Sequence, residues 1–118
     1  MRIEQVEQAV AYIDSLLDNR YPVDMLIIIE ENRTVLADVL AKAENEVREI
    51  TDEYCKDDGD YKDEESRSAA QEKMKNVLER DIDVPLRSIP AALIRKCDEP
   101  GYTKFSRNEL VSFKKIFG

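Results

Sequence analysis

Apolar residues recur along the chain in steps of three and four, the spacing that holds one stripe on one side of a helix. The longest such run is Leu26, Ile29, Leu36, Leu40, Ala43, Val47, Ile50 and Tyr54, with Arg33 its single polar interruption and Val39 widening the stripe beside Leu40. It predicts a helix over 24–56 with Asp24 as N-cap, a rod roughly 50 Å long at about 1.5 Å per residue. A rod that thin must have its stripe covered by the rest of the chain. Within it, Met25-Leu26-Ile27-Ile28-Ile29 also reads as a short buried strand, because consecutive β-branched residues favour extended backbone.

Ile3, Val6, Val10, Ile13 and Leu17 repeat the spacing, with Ala9 and Leu16 widening the stripe, and predict an N-terminal helix over 1–18. Asn19 and Tyr21-Pro22 end it, since the residue before proline is pushed out of the helical region. The long helix fails at Asp57-Asp58-Gly59-Asp60, where glycine and aspartate supply turn chemistry. A second helix over 63–80 follows, with an acidic first turn and an apolar face of Ala70, Met74, Val77 and Leu78. So short a loop makes the two an antiparallel hairpin.

After Arg80 the period changes. Ile82, Val84 and Leu86 alternate with Asp83, Pro85 and Arg87, so the region 82–105 begins extended, with Pro85 confining it to an edge or a single extended arm. Ala91–Lys96 predicts a brief helix, Glu99-Pro100-Gly101 a type II turn, and Tyr102–Phe105 a second extended piece that pairs with the first. The last helix, over 106–117, is announced by a capping box of Ser106 and Glu109, with Phe105 stapled onto Leu110 and Leu110, Phe113 and Phe117 facing inward. The fold class is therefore mainly α, one domain over 1–118: a long antiparallel helical hairpin with N- and C-terminal helices and a small two-stranded extended element, α+β being the alternative.

Composition narrows the function. At 118 residues, 42% apolar and 37% charged, with only three glycines and four prolines, the chain fits a soluble helical domain better than a many-turned β fold. No apolar run approaches membrane-spanning length, and the first helix lacks a signal peptide's basic start, so a cytoplasmic protein is expected. There is no histidine, and Cys55 and Cys97 stand alone, which removes Cys–His zinc sites and Ser-His-Asp or Cys-His catalysis. Reduced, part-buried thiols are expected, a disulfide between them being the alternative. The adjacent carboxylates Glu30-Glu31 and Asp57-Asp58 do not face one another across a bond, so no enzyme is expected.

Charge is unevenly placed. From Glu44 to Glu65 there are eleven acidic and three basic residues, a net of −8 that equals the whole chain's. The segment 86–118 carries seven basic and three acidic residues, a net of +4. The candidate partner-binding residues are Glu44, Glu46, Glu49, Asp52, Glu53, Asp57, Asp58, Asp60, Asp63, Glu64 and Glu65. A calcium loop fails on register, because Gly59 at an EF-hand's sixth position puts Tyr54 where a carboxylate is required. No metal or cofactor is expected. Direct nucleic-acid binding is disfavoured by repulsion from the phosphates, although Arg95, Lys96, Lys104, Arg107, Lys114 and Lys115 near Tyr102 and Phe105 offer an anion a place. The plain reading of the acidic tip is a solvated hairpin turn; the functional one is the inverse of nucleic-acid binding, an acidic rod that occupies the basic groove of a nucleic-acid-binding protein.

The order of a short amphipathic helix, Tyr21-Pro22-Val23, a long helix through Asn32, then Tyr54-Cys55-Lys56-Asp57-Asp58-Gly59, a second helix and Ile82-Asp83-Val84 resembles a small uncharacterised protein family encoded by tailed phages and prophages. The resemblance covers nearly the whole chain and brings no catalytic residues; the chain departs from the pattern after Gly59, where it is more acidic. It implies an accessory protein acting stoichiometrically on host machinery, in the bacterial cytoplasm. The expected function is a non-enzymatic protein-binding module, most specifically an anti-CRISPR-like inhibitor that mimics nucleic acid. The alternatives are a phage assembly protein that self-associates through its helices and a small-ligand sponge for nucleotides.

Overall fold

The computed structural model describes residues 1–117, and these form five helices: α1 (Ile3–Leu16), α2 (Val23–Tyr54), α3 (Glu64–Glu79), α4 (Ala91–Lys96) and α5 (Arg107–Phe117). The protein is mainly helical, with a long helix and shorter ones flanking it in sequence. The ambiguous run at the start of α2 is helical. Its buried residues are Met25, Ile28, Ile29, Asn32 and Leu36, a helical period, whereas Ile27 is 47% exposed. A strand would have placed Met25, Ile27 and Ile29 on one face.

Two details of α2 differ from expectation. Asp24 lies in the first turn and is not the N-cap; the Pro22 carbonyl accepts from the Met25 and Leu26 N–H groups at 3.0 and 3.1 Å. In the first turn the Asp24 carboxylate still faces the positive end of the helix dipole. The polar interruption of the stripe is Asn32, 1% exposed, rather than Arg33, which reaches partly into solvent. Shifting the inward position by one residue buries an uncharged amide and leaves the guanidinium to pair with Asp14.

Contacts divide the chain into two units, and α1 and α2 contribute residues to both. The first comprises Met1–Glu7 and Asp38–Asp83. In it α2 and α3 run antiparallel, since Glu53 meets Lys73 while Glu46 meets Arg80. Its core is Ile3, Ala43, Ile50, Ala70 and Val77, with Val39, Leu40, Val47, Tyr54, Tyr61, Met74 and Ile82 half-covered against it. Leu78, expected on the inner face of α3, is 52% exposed, because it lies about 100° round the helix from Val77.

The second unit comprises Gln8–Ala37 and Val84–Gly118. Here Tyr21 stacks on Phe105 at 5.2 Å between ring centroids, Phe105 tilts onto Phe113 at 4.8 Å, and Phe113 onto Phe117 at 4.7 Å. Aromatic contacts of this offset kind add to the area they bury. The Ser106 hydroxyl caps α5 by accepting from the Glu109 N–H at 3.2 Å, the expected half of the capping box. Pro100 and Gly101 form the expected turn, with Gly101 at φ 94° and the Tyr102 N–H 3.4 Å from the Glu99 carbonyl.

The two-stranded element does not form. In the first unit the Ile82 N–H donates to the Met1 carbonyl at 2.7 Å. In the second, the Thr103 N–H donates to the Arg20 carbonyl at 2.7 Å, and the Arg20 N–H to Thr103 Oγ1 at 2.9 Å. Each extended piece thus satisfies its backbone on a chain segment beside an end of α1, and Pro85 brings no donor to a ladder. Among the described residues the one isolated β-bridge joins Cys55 and Tyr61.

Candidate protein-binding surface

All eleven candidate carboxylates fall in the first unit. That unit holds eighteen acidic and nine basic side chains, a net of −9, against eight and nine in the second, a net of +1. The charge asymmetry of the sequence is therefore an asymmetry between structural units. A −9 surface with few internal partners produces a field that attracts basic proteins and repels phosphate backbones.

The tip that carries the densest charge is an ordered turn. The Lys56 N–H donates to the Asp60 carbonyl at 2.7 Å, the Gly59 N–H to the Lys56 carbonyl at 2.9 Å, and the Lys62 N–H to the Tyr54 carbonyl at 3.0 Å. Gly59 sits at φ 90°, where a side chain would be strained. Asp58 accepts from the Asp60 N–H at 3.1 Å, and Asp63 caps α3 by accepting from the Ser66 N–H at 2.6 Å. That bond holds the Asp63 carboxyl below the ordinary carboxylate range, because it favours the charged form.

Ten of the eleven carboxylate residues are exposed, Glu46 being half-buried. Two are paired within the chain. Arg80 Nη1 lies 3.1 and 3.2 Å from the Glu46 oxygens, and Lys73 Nζ lies 3.8 Å from Glu53. Lys73 also sits 5.0 Å over the Tyr54 ring, and the Tyr54 hydroxyl, then Glu53, hold its pKa above the ordinary lysine value. Glu44, Glu49, Asp52, Asp57, Asp58, Asp60, Asp63, Glu64 and Glu65 make no ion pair among the described residues. No group of three or more carboxylate or thiol residues among the described residues is placed to hold a metal ion.

Sequence reasoning missed the cations Arg80 and Lys73, which cover part of the acidic face of α2. Glu53–Lys73 and Glu46–Arg80 are both centred on position 63, four residues past Gly59, so placing the turn at Gly59 would not have given their register. The basic residues 95–115, weighed for anion binding, lie in the second unit. Cys97 is buried beside Met25, with sulfur atoms 3.6 Å apart, and burial raises its thiol pKa; Cys55 is half-buried in the other unit and both are free thiols. No helix among the described residues is long and apolar enough to cross a membrane. No protein-family model, characterised protein or solved structure matches the chain.

Proposed function

We propose that this protein is a non-enzymatic binding module whose acidic face, Glu44 to Glu65, docks on the basic surface of a protein partner. Its most specific form is a phage-type stoichiometric inhibitor of a bacterial nucleic-acid-handling defence protein, such as a CRISPR nuclease, with the acidic hairpin taking the place of nucleic acid. The observation that carries this reading is the set of nine solvent-exposed carboxylate residues without an ion pair among the described residues, carried on the C-terminal third of α2, the hydrogen-bonded turn and the start of α3. On α2 the segment from Glu44 to Glu53 spans about 15 Å of axis, and its three acidic residues without an ion pair among the described residues, Glu44, Glu49 and Asp52, supply one charge per roughly 5 Å. An ordered turn loses little conformational freedom on binding, which favours affinity.

The test is displacement of a labelled DNA duplex from a guide-loaded CRISPR nuclease, followed by fluorescence anisotropy. Stoichiometric displacement that weakens steeply with added salt is the expected result. Reversing Asp57, Asp58, Asp60 and Glu64 to lysine should abolish it while helicity by circular dichroism stays unchanged. Displacement retained by that variant would remove mimicry. A second reading, self-association in an assembly, draws on Val23 and Ile27, one turn apart on α2 and 71% and 47% exposed; a salt-insensitive oligomer by light scattering favours it.

A further inference from the structure

In the first unit α1 contributes Ile3–Glu7, about 7.5 Å of helix, beside the α2–α3 hairpin. Where the three helices meet they leave an open groove of about 250 Å³, lined on α1 by Ile3 and Glu7 and on α3 by Val77 and Leu78. Its floor is low because Ala43 is small and Val77 is turned inward, each under 10% exposed. Its walls are Leu40 and Val47, both half-buried, and Leu78, 52% exposed. Glu7 and Glu44, both exposed, stand on its rim.

We propose that this groove is the docking site for a basic amphipathic helix of a protein partner. Leu40, Ala43 and Val47 are spaced i, i+3, i+7, which presents a slot about 10 Å long matching the apolar ridge of another helix. The rim decides the occupant. Carboxylates at Glu7 and Glu44 beside an apolar floor complement Lys or Arg flanking that ridge. A second copy of this chain fits poorly, since pairing through this groove brings together two units of net charge −9. The proposal rests on the reading that this unit takes a basic partner, and it adds that the partner is helical and enters by its apolar side.

Two fluorescein-labelled peptides of identical composition test it. One carries leucines at i, i+4 and i+7 with lysines at flanking positions; the other has the same residues permuted to destroy the stripe. The full chain should bind the patterned peptide about tenfold more tightly, as removal of one well-packed leucine contact would imply. Leu78→Ser, at an exposed position, should abolish that preference without loss of helicity. Glu44→Lys should weaken the patterned peptide, and heteronuclear shifts on its addition should centre on Leu40, Val47 and Leu78. Equal affinity for both peptides overturns the groove and leaves the acidic-surface reading standing; binding of neither overturns both. Unaltered preference in Leu78→Ser likewise overturns the groove.

Discussion

Asn32 is the fully buried polar side chain of α2, and its amide clamps the backbone of one residue in the segment before α4. Its Nδ2 donates to the Arg87 carbonyl at 2.8 Å, and its Oδ1 accepts from the Arg87 N–H at 2.7 Å. This pair of bonds anchors an extended segment to a helix without a strand partner. Asn32→Ala leaves both backbone groups without protein partners, each loss costing about 1–3 kcal/mol. Water reaches the exposed Arg87 side and recovers part, while the void left by the amide adds some back, so the net loss is about 2–4 kcal/mol. With a urea m-value of about 2 kcal/mol/M the unfolding midpoint falls by about 1–2 M. Asn32→Asp keeps the acceptor and loses the donor. It places a carboxylate against the Arg87 carbonyl, so it should cost more than alanine at neutral pH and recover as acid protonates it. Urea unfolding, with hydrogen exchange at the Arg87 amide, reads both effects. A loss below about 0.5 kcal/mol in Asn32→Ala, with Arg87 exchange unchanged, would refute the clamp.

Phe113 is 0% exposed between Phe105 and Phe117, so Phe113→Ala should cost about 3–5 kcal/mol by calorimetry, whereas Val111→Ala, at 55% exposed, should stay within about 0.5 kcal/mol. Thiol labelling should modify Cys55 first and reach Cys97 only on unfolding, because Cys97 is 1% exposed and its pKa is raised by burial; equal rates would contradict its placement. Asp14, bonded by Arg33 at 2.6 Å, and Asp63, bonded by the Ser66 N–H, should titrate below the ordinary 3.8 in carboxyl carbon NMR. Both folded-state values are depressed. Their stabilising contribution is therefore complete above about pH 5, where the unfolded carboxylates are also ionised, and is lost as pH falls through the folded values.

Helices were legible from apolar spacing and flanking turn residues, even where the expected cap failed, as Asp24 did for α2. Ala91–Lys96 falls where expected and Ser106 caps α5 as expected, whereas Asp63, expected only within an acidic first turn, is the N-cap of α3. Periodicity locates a stripe only to within one residue, which is why Arg33 was read as inward when Asn32 is the buried neighbour. Two successive residues lie about 100° apart, and only the Arg87 backbone, far along the chain, decides between them. The alternation at Ile82, Val84 and Leu86 signalled extended backbone correctly. It did not signal the partner, because hydrogen bonding to Met1 and pairing of Thr103 with Arg20 are long-range choices without a local pattern. The acidic stretch was legible from composition alone, whereas its two ion pairs depend on hairpin register. The groove at Ala43 was not legible, since a small residue in a stripe looks the same whether a neighbour fills it or leaves it open.

Carboxylate footprinting of the chain bound to a partner recovered from bacterial lysate tests most directly whether Glu44–Glu65 forms the binding surface. Each acidic side chain is labelled by carbodiimide in the free and bound states and read by mass spectrometry. Protection concentrated at Asp57, Asp58, Asp60, Glu64 and Glu65, with Glu30, Asp98 and Glu109 of the second unit labelled as in the free protein, is the predicted result. Full labelling of the hairpin tip in the complex, or protection confined to the second unit, would contradict it.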